Sequence, residues 1–176
     1  MNFAAIILAG GRSSRMGRDK ALLEWQGQPL YQRAQALAQN LGAGQLFVSG
    51  SQVGGLPDRY PDQGPLAGIE ACLQKAETDW VLVLPVDMPQ LRAQTLAPLV
   101  AQREAAYLAN SPLPAWLPNS ARVQDWLERQ LADPAGERSV KSLLRFLEAR
   151  SVPCEDPLGN CNTPEEWRAF LERDEP

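Results

Sequence analysis

Residues 2–20 read NFAAIILAGGRSSRMGRDK, and this stretch decides the fold class that we predict. Its first seven residues form an apolar run of strand length, which passes directly into a loop containing Gly10, Gly11 and Gly17. A second apolar run, WVLVLPV at residues 80–86, is also short enough to be a strand buried on both faces. Strands of this kind are typical of parallel sheets in α/β proteins.

Helical patterns separate these strands, so their order predicts a doubly wound, mostly parallel sheet. Residues 29–41 and 66–76 carry apolar side chains at helical spacing, on either side of a third candidate strand at residues 45–49. Ligands of such sheets collect at the carboxyl ends of the strands. The glycine loop and Asp87, which follows the second apolar run, are both expected there.

The second half of the chain is less regular. It predicts helices at residues 92–103, 123–131 and 140–149 and short strands at residues 106–109 and 113–117. The proline-rich stretch Ser111–Pro118 favours a crossover or an edge strand over a central strand. A last helix is marked by Thr163 as its cap, Pro164 at its first position and Glu166 as the second half of a capping box.

Composition narrows the class of protein. A chain of 176 residues without an internal repeat or linker predicts one domain, residues 1–176. The sequence has no apolar run of membrane length and no basic region before its first strand, so we expect a soluble protein that is neither exported nor membrane-bound. The three cysteines have neither metal-type spacing nor the pattern of a disulfide framework, which favours the reducing cytoplasm. A net charge of −4 argues against a nucleic-acid partner. The absence of histidine excludes histidine-based triads, so any metal should be a hard cation held by oxygen.

The loop from Leu8 to Lys20 is suited to bind a triphosphate. Glycines allow the main chain to approach a ligand closely, and Ser13 adds a hydroxyl donor. Arg12 and Arg15 can fork onto phosphates, while Lys20 offers a compact charge to oxygens that gain charge during transfer. The loop fits neither the Walker A pattern nor the Rossmann fingerprint. A glycine-rich turn can also serve only to join a strand to a helix, but the clustered cations favour an anionic ligand.

Three further motifs are candidates for the same site. Asp87 can hold Mg2+ against phosphate oxygens, or it can be an ordinary turn aspartate before Pro89. A second glycine turn can recognise a purine edge or merely begin a helix, and its candidate ligand contacts are Asp62, Gly64, Pro65 and Leu66. Asn160 and Asn162 can contribute to a metal or phosphate site, or form a turn before the capped helix.

Four stretches, in this order along the chain, resemble the molybdenum cofactor guanylyltransferases. They are LAGGRSSRMGRDK at residues 8–20, DQGPLAGI at 62–69, LPVDMP at 84–89 and NCNTPEEW at 160–167. The resemblance implies a Rossmann-like, three-layer α/β sandwich of the nucleotide-diphospho-sugar transferase type. It also implies transfer of GMP from GTP to the terminal phosphate of molybdopterin, with pyrophosphate released and Mg2+ required. Proteins that make or receive the molybdenum cofactor are the partners that it suggests.

The resemblance also implies a role for individual residues. Leu8, Ala9 and Gly10 match the main chain that contacts the guanine nucleotide, and Gly11, next in the same loop, is a further candidate for nucleotide binding. Lys20 matches the phosphate-binding lysine, Asp62 a second nucleotide contact and Asp87 the Mg2+ ligand. Asn160 and Asn162 match the paired asparagines that contact pterin or metal. We therefore expect Lys20, Arg15 and Asp87 to be catalytic.

This chain departs from the family pattern at two places. Ser51 lies where the family usually has asparagine, and Ser111 precedes a proline where many members have histidine. Two other functions stay open on the residues alone. One is a related nucleotidyltransferase that uses CTP or a sugar phosphate, and the other is a non-catalytic nucleotide-binding domain.

Overall fold

The computed structural model of the protein describes residues 2–10, 20–156 and 158–174. Its strands are β1 (Ala4–Leu8), β2 (Glu24–Trp25), β3 (Gln28–Pro29), β4 (Gln45–Ser49), β5 (Trp80–Pro85), β6 (Ala106–Leu108), β7 (Ala115–Pro118) and β8 (Arg150–Val152). Its helices are α1 (Leu30–Asn40), α2 (Pro65–Leu73), α3 (Ala93–Val100), α4 (Ala121–Ala132), α5 (Val140–Phe146) and α6 (Pro164–Asp174). Short 3-10 turns occupy Lys20–Leu22 and Ser51–Val53.

Six strands form one mostly parallel sheet in the order β4-β1-β5-β7-β6-β8. The pairs β4-β1, β1-β5 and β6-β8 are parallel, and β7 runs antiparallel to both of its neighbours. The register places Leu8 opposite Ser49 on one side and Pro85 on the other, so β1, β4 and β5 end side by side. The predicted doubly wound, mostly parallel sheet is therefore confirmed.

One prediction about the sheet was wrong. Residues 115–118 form an internal strand between β5 and β6, not a crossover or an edge. The strand is possible because Pro114 precedes it and Pro118 lies at its last position, which leaves three intervening residues with free N–H groups for the ladder. The stretch before Ala115 is a loop that joins β6 to its antiparallel neighbour β7.

Two hydrophobic cores lie on opposite faces of the sheet. Alternate residues of β1 point to opposite sides: Ile6 joins the core shared with α2, α4 and α5, and Ile7 joins the core shared with α1 and α3. All five residues of β1 are buried, which explains why the strand is apolar at every position. No helix within the described ranges is both long and apolar enough to cross a membrane.

The capping box predicted for the last helix is confirmed. The Glu166 N–H donates to Thr163 Oγ1 over 3.2 Å, and the Thr163 N–H donates to Glu166 Oε2 over 3.0 Å. By contrast, the helix predicted at residues 140–149 ends at Phe146, because Glu148 adopts a positive φ of 50° that a helix cannot accommodate. The short strands β2, β3 and β8 were not predicted.

Candidate active site

The candidate site lies at the edge of the sheet where the parallel strands end. Leu8 and Ala9 are both buried at the end of β1, and the Ala9 N–H donates to the Ser49 carbonyl over 3.2 Å. Parallel to these strands, β6 ends at the same edge further along the sheet. Loops that follow β1, β4, β5 and β6 therefore share one edge, as expected for the ligand side of an α/β sheet.

Gly10 and Gly50 allow two of these loops to pack main chain against main chain. Gly50 has a φ of 113°, which favours glycine. A Cβ atom at Gly50 would lie 2.9 Å from the Gly10 nitrogen and 3.0 Å from its Cα. The start of the glycine loop thus depends on a second glycine after β4, where the family resemblance leads one to expect an asparagine nearby.

Lys20, Asp87 and Asn162 meet at this edge. The Lys20 ammonium donates to Asn162 Oδ1 over 2.7 Å and lies 3.8 Å from Asp87 Oδ2. Cys161, the residue before Asn162, connects the Asn162 segment to the Asp87 segment, because its N–H donates to the Asp87 carbonyl oxygen over 2.8 Å. Three motifs that are distant in sequence are thereby brought into one cluster.

Burial changes the acid–base behaviour of Asp87. Its side chain is 22% exposed, and desolvation raises the pKa of the carboxyl group above its ordinary value. The charge of Lys20 opposes this effect and Glu166 adds to it, but the net pKa shift is upward. A carboxylate in these surroundings gains from a nearby cation, because the cation offsets the cost of removing the charge from water.

The second glycine turn is strained where it enters α2. Asp62 and Gly64 have positive φ values of 63° and 73°, and Pro65 occupies the first turn of the helix. The side chain of Leu66 is fully buried in the core, so a ligand can contact this residue only through its main chain. Asn160 is exposed two residues before Asn162.

An ion-pair network that the sequence did not indicate supports this turn. The Arg59 guanidinium contacts Glu70 Oε1 of α2 over 2.6 Å and Glu128 Oε1 of α4 over 3.2 Å. Glu70 is fully buried, and desolvation raises the pKa of its carboxyl group although Arg59 partly opposes the shift. The network ties the segment that leads into Asp62 to two helices.

An open cavity of about 750 Å³ lies beyond the end of β6. Tyr107, Asn110, Ser111, Pro112, Lys141 and Arg145 are among its lining residues. Both cations come from α5, and Glu148 adds a carboxylate to the same lining, so the cavity offers two positive charges and one negative charge to a ligand. In the sequence, Ser111 stands out only as a departure from the family pattern, and neither Tyr107 nor Lys141 carries a signal.

Gly11, Arg12, Ser13 and Arg15 lie outside the described residues, as does the rest of the loop up to residue 19. Within the described residues no group of three or more histidine, cysteine, aspartate or glutamate side chains could enclose a metal ion. Among the described residues, Asp87 offers a carboxylate to a metal at this edge.

The sheet topology, the two covering layers and the polar cluster at the carboxyl edge define an α/β nucleotidyltransferase. The chain belongs to the MobA-like NTP transferase domain family, whose model matches residues 5–153. It is 38% identical, over 96% of its length and 94% of the relative, to the molybdenum cofactor guanylyltransferase of Xanthomonas euvesicatoria.

Solved structures show the same fold at lower sequence identity. The molybdopterin-guanine dinucleotide biosynthesis protein A of Archaeoglobus fulgidus matches with a TM-score of 0.66 at 21% identity, over 97% of both chains. The 2-C-methyl-D-erythritol 4-phosphate cytidylyltransferase of Thermus thermophilus matches with a TM-score of 0.71 at 17% identity, over 98% of both chains. The predicted α/β nucleotidyltransferase fold is thus confirmed.

Proposed function

We propose that this protein transfers GMP from GTP to the terminal phosphate of molybdopterin and releases pyrophosphate. The observation that carries the proposal is the convergence of Lys20, Asp87 and Asn162 at the edge where β1 and β5 end. Its substrates are inferred from the relationship to the guanylyltransferase of Xanthomonas euvesicatoria, which extends over nearly the whole chain.

The reaction needs charge neutralisation more than a base. An oxygen of the acceptor phosphate attacks the α-phosphorus of GTP in line, and the bond from that phosphorus to the pyrophosphate oxygen breaks. Because the nucleophile is already anionic, no proton has to be removed, which suits a chain without histidine. Lys20 offsets charge on the triphosphate, and Asn162 keeps the ammonium group in place.

Asp87 fits the role of a Mg2+ ligand. Mg2+ commonly uses one or two carboxylates and completes its shell with water and substrate phosphates, so a single carboxylate at this edge is a suitable donor. The desolvated position of Asp87 also favours a cation beside it. When bound, Mg2+ neutralises phosphate charge during transfer. We also propose that Arg15, together with Arg12, is catalytic and neutralises phosphate charge during transfer from its place in the glycine loop.

The remaining contacts divide between donor and acceptor. For the donor nucleotide we propose the main chain of Leu8, Ala9, Gly10, Gly11 and Ser13, with Asp62, Gly64, Pro65 and Leu66 beside the guanine. For the acceptor we propose the cavity beyond β6, because it opens at the same edge and carries Lys141 and Arg145. Asn160 would contribute to this acceptor side.

The cellular setting follows from the proposed substrates. We propose a cytoplasmic enzyme of one domain, residues 1–176, that exchanges its product with proteins that make or use the molybdenum cofactor. Neither a nucleic acid nor a membrane is part of this proposal, and the net charge of −4 offers no general attraction to a polyanion such as a nucleic acid.

The direct test supplies the protein with Mg2+, molybdopterin and one nucleoside triphosphate at a time. Pyrophosphate release and the mass of the pterin product are measured for GTP, ATP, CTP and UTP. We expect release only with GTP, and a product heavier by one GMP unit. Transfer from CTP would instead identify a cytidylyltransferase, and tight GTP binding without release would identify a nucleotide-binding domain.

Replacement of Lys20 tests its role in the reaction. We expect Lys20→Ala to lower kcat about a hundredfold or more, because removal of a group that stabilises charge in a transition state has this effect. Lys75→Ala is the matched control, since Lys75 is exposed at the end of α2 and away from the cluster. Equal turnover by the two variants would remove Lys20 from the mechanism.

A further inference from the structure

Glu166 holds the main chain beside the candidate site. Its Oε2 atom accepts from the Asn162 N–H over 2.6 Å and from the Thr163 N–H over 3.0 Å. The preceding amide, that of Cys161, donates to the Asp87 carbonyl oxygen over 2.8 Å. Three consecutive N–H groups are thus fixed, one by the Asp87 segment and two by a single carboxylate oxygen.

We propose that Glu166 is a positioning residue, which acts on the reaction by fixing the Asn162 main chain so that Asn162 Oδ1 holds the Lys20 ammonium. The proposal rests on the proposed function of Lys20. With its main chain held on both sides, Asn162 has little freedom except rotation of its own side chain. The 2.7 Å bond to Lys20 Nζ is therefore made from a prepared position.

An ordinary helix cap would produce a different result. Capping alone stabilises α6 by satisfying N–H groups that have no partner within the helix. A residue that only caps the helix affects the thermal midpoint of unfolding, while turnover of the folded protein stays unchanged. A residue that positions Asn162 affects turnover even when the protein is fully folded.

Three single variants separate these possibilities. Glu166→Ala removes the acceptor, Glu166→Gln keeps an oxygen that can accept both bonds, and Glu165→Ala is a control at an exposed neighbour that pairs with Arg168. With folding monitored by circular dichroism, we expect Glu166→Ala to lower kcat about tenfold to a hundredfold, as small misplacements of reacting groups do. Glu166→Gln should recover most of the loss, and Glu165→Ala should match the wild type.

A double-mutant cycle tests whether Glu166 acts through Asn162. On the Asn162→Ala background, Glu166→Ala should cause no further loss of kcat, because the side chain that it positions is already absent. The inference is overturned if Glu166→Ala costs as much on that background as in the wild type. It is also overturned if Glu166→Ala leaves the kcat of the folded protein unchanged.

A measurement without nucleotide keeps this inference separate from the proposed function. The chain contains three lysines, Lys20, Lys75 and Lys141, so its lysine ammonium groups can be resolved by NMR with labelled Nζ and Cε atoms. Glu166→Ala should shift the Lys20 signal and leave the other two in place. If the wild type fails to release pyrophosphate with any nucleotide, the proposed function fails, yet this spectrum still decides the inference: an unchanged Lys20 signal overturns it.

Discussion

Gly50 illustrates, at the scale of one residue, how the main chain of the candidate site is built. Its φ of 113° and its close approach to Gly10 both exclude a side chain. Gly27, by comparison, also has a positive φ, of 74°, but a Cβ there would meet nothing within 4 Å. The two glycines therefore separate the cost of backbone conformation from the cost of a clash.

We expect Gly27→Ala to lower the free energy of unfolding by about 1 kcal/mol, the cost of a left-handed conformation. Gly50→Ala should cost about 3 kcal/mol, since contact with the Gly10 main chain adds to the strain. Urea unfolding measures both values. Gly50→Ala should also weaken GTP binding in calorimetry, and equal losses of stability in the two variants would contradict the clash.

Asp87 shows, at the same scale, a conflict between stability and function. Because the pKa of its carboxyl group is raised by burial, the folded protein binds a proton more tightly than the unfolded chain does. The stabilising contribution of the protonated carboxyl is present below the unfolded pKa and is lost as the pH rises through the folded pKa. Near neutral pH the charged form therefore destabilises the metal-free protein.

The resulting prediction is that Asp87→Asn raises the thermal midpoint of the metal-free protein at about pH 7 and abolishes turnover. The difference from the wild type should shrink as the pH falls through the raised pKa of Asp87, because the wild-type carboxyl then becomes protonated. Asp79→Asn, at an exposed aspartate before β5, is the control and should change neither property. A lower midpoint for Asp87→Asn would show that its ion pair with Lys20 outweighs desolvation.

At the scale of elements, α6 is fastened to the small β2–β3 hairpin by aromatic rings. Phe170 is 1% exposed, and its ring centroid lies 4.8 Å from that of Trp25 and 5.4 Å from that of Trp167. The Arg33 guanidinium lies over the Trp25 ring, 3.8 Å from its centroid. Asn162 lies two residues before α6, so this cluster holds the helix that follows Asn162 against the hairpin that follows Lys20.

Phe170→Ala is expected to loosen α6 from the hairpin. Loss of a buried phenylalanine costs about 3 to 5 kcal/mol of stability, and here the cost should be concentrated in the terminal helix. We expect faster proteolysis within residues 164–174 together with a lower kcat. Arg168→Ala serves as the control, because its exposed ion pair with Glu165 contributes little. Normal turnover by a Phe170→Ala protein with a loosened α6 would exclude a link between this helix and the site.

The sequence predicted some elements better than others, for physical reasons. β1 and β5 were found because their burial on both faces requires continuous apolar runs, and α6 because a capping box is a local signal. The position of β7 in the sheet was predicted wrongly, because prolines flank a strand that lies inside the sheet. The contact of Lys20 with Asn162 joins residues 142 positions apart, so the motifs suggested a shared site but gave no distance.

At the scale of the whole molecule, a buried aromatic cluster and the candidate site lie towards opposite edges of the sheet. Trp116 is fully buried on β7, stacked on Trp80 with a centroid distance of 5.3 Å and in edge contact with Phe3. Trp80 begins β5, whereas Asp87 follows its end. This aromatic cluster thus lies towards the edge opposite the candidate site, and its packing stabilises the fold without contacting a substrate.

Trp116→Phe should therefore lower stability and spare catalysis. The smaller ring loses part of the stacking with Trp80 and leaves the Gln102 carbonyl without the indole N–H that now donates to it over 3.1 Å. We expect a loss of about 2 kcal/mol in urea unfolding. The KM for GTP and the kcat per folded molecule should stay within about twofold of the wild type, since no atom at the carboxyl edge is changed. Asp87→Asn would then raise stability and abolish turnover, whereas Trp116→Phe would lower stability and leave turnover nearly unchanged. A large fall in kcat for folded Trp116→Phe would mean that the two edges of the sheet are coupled.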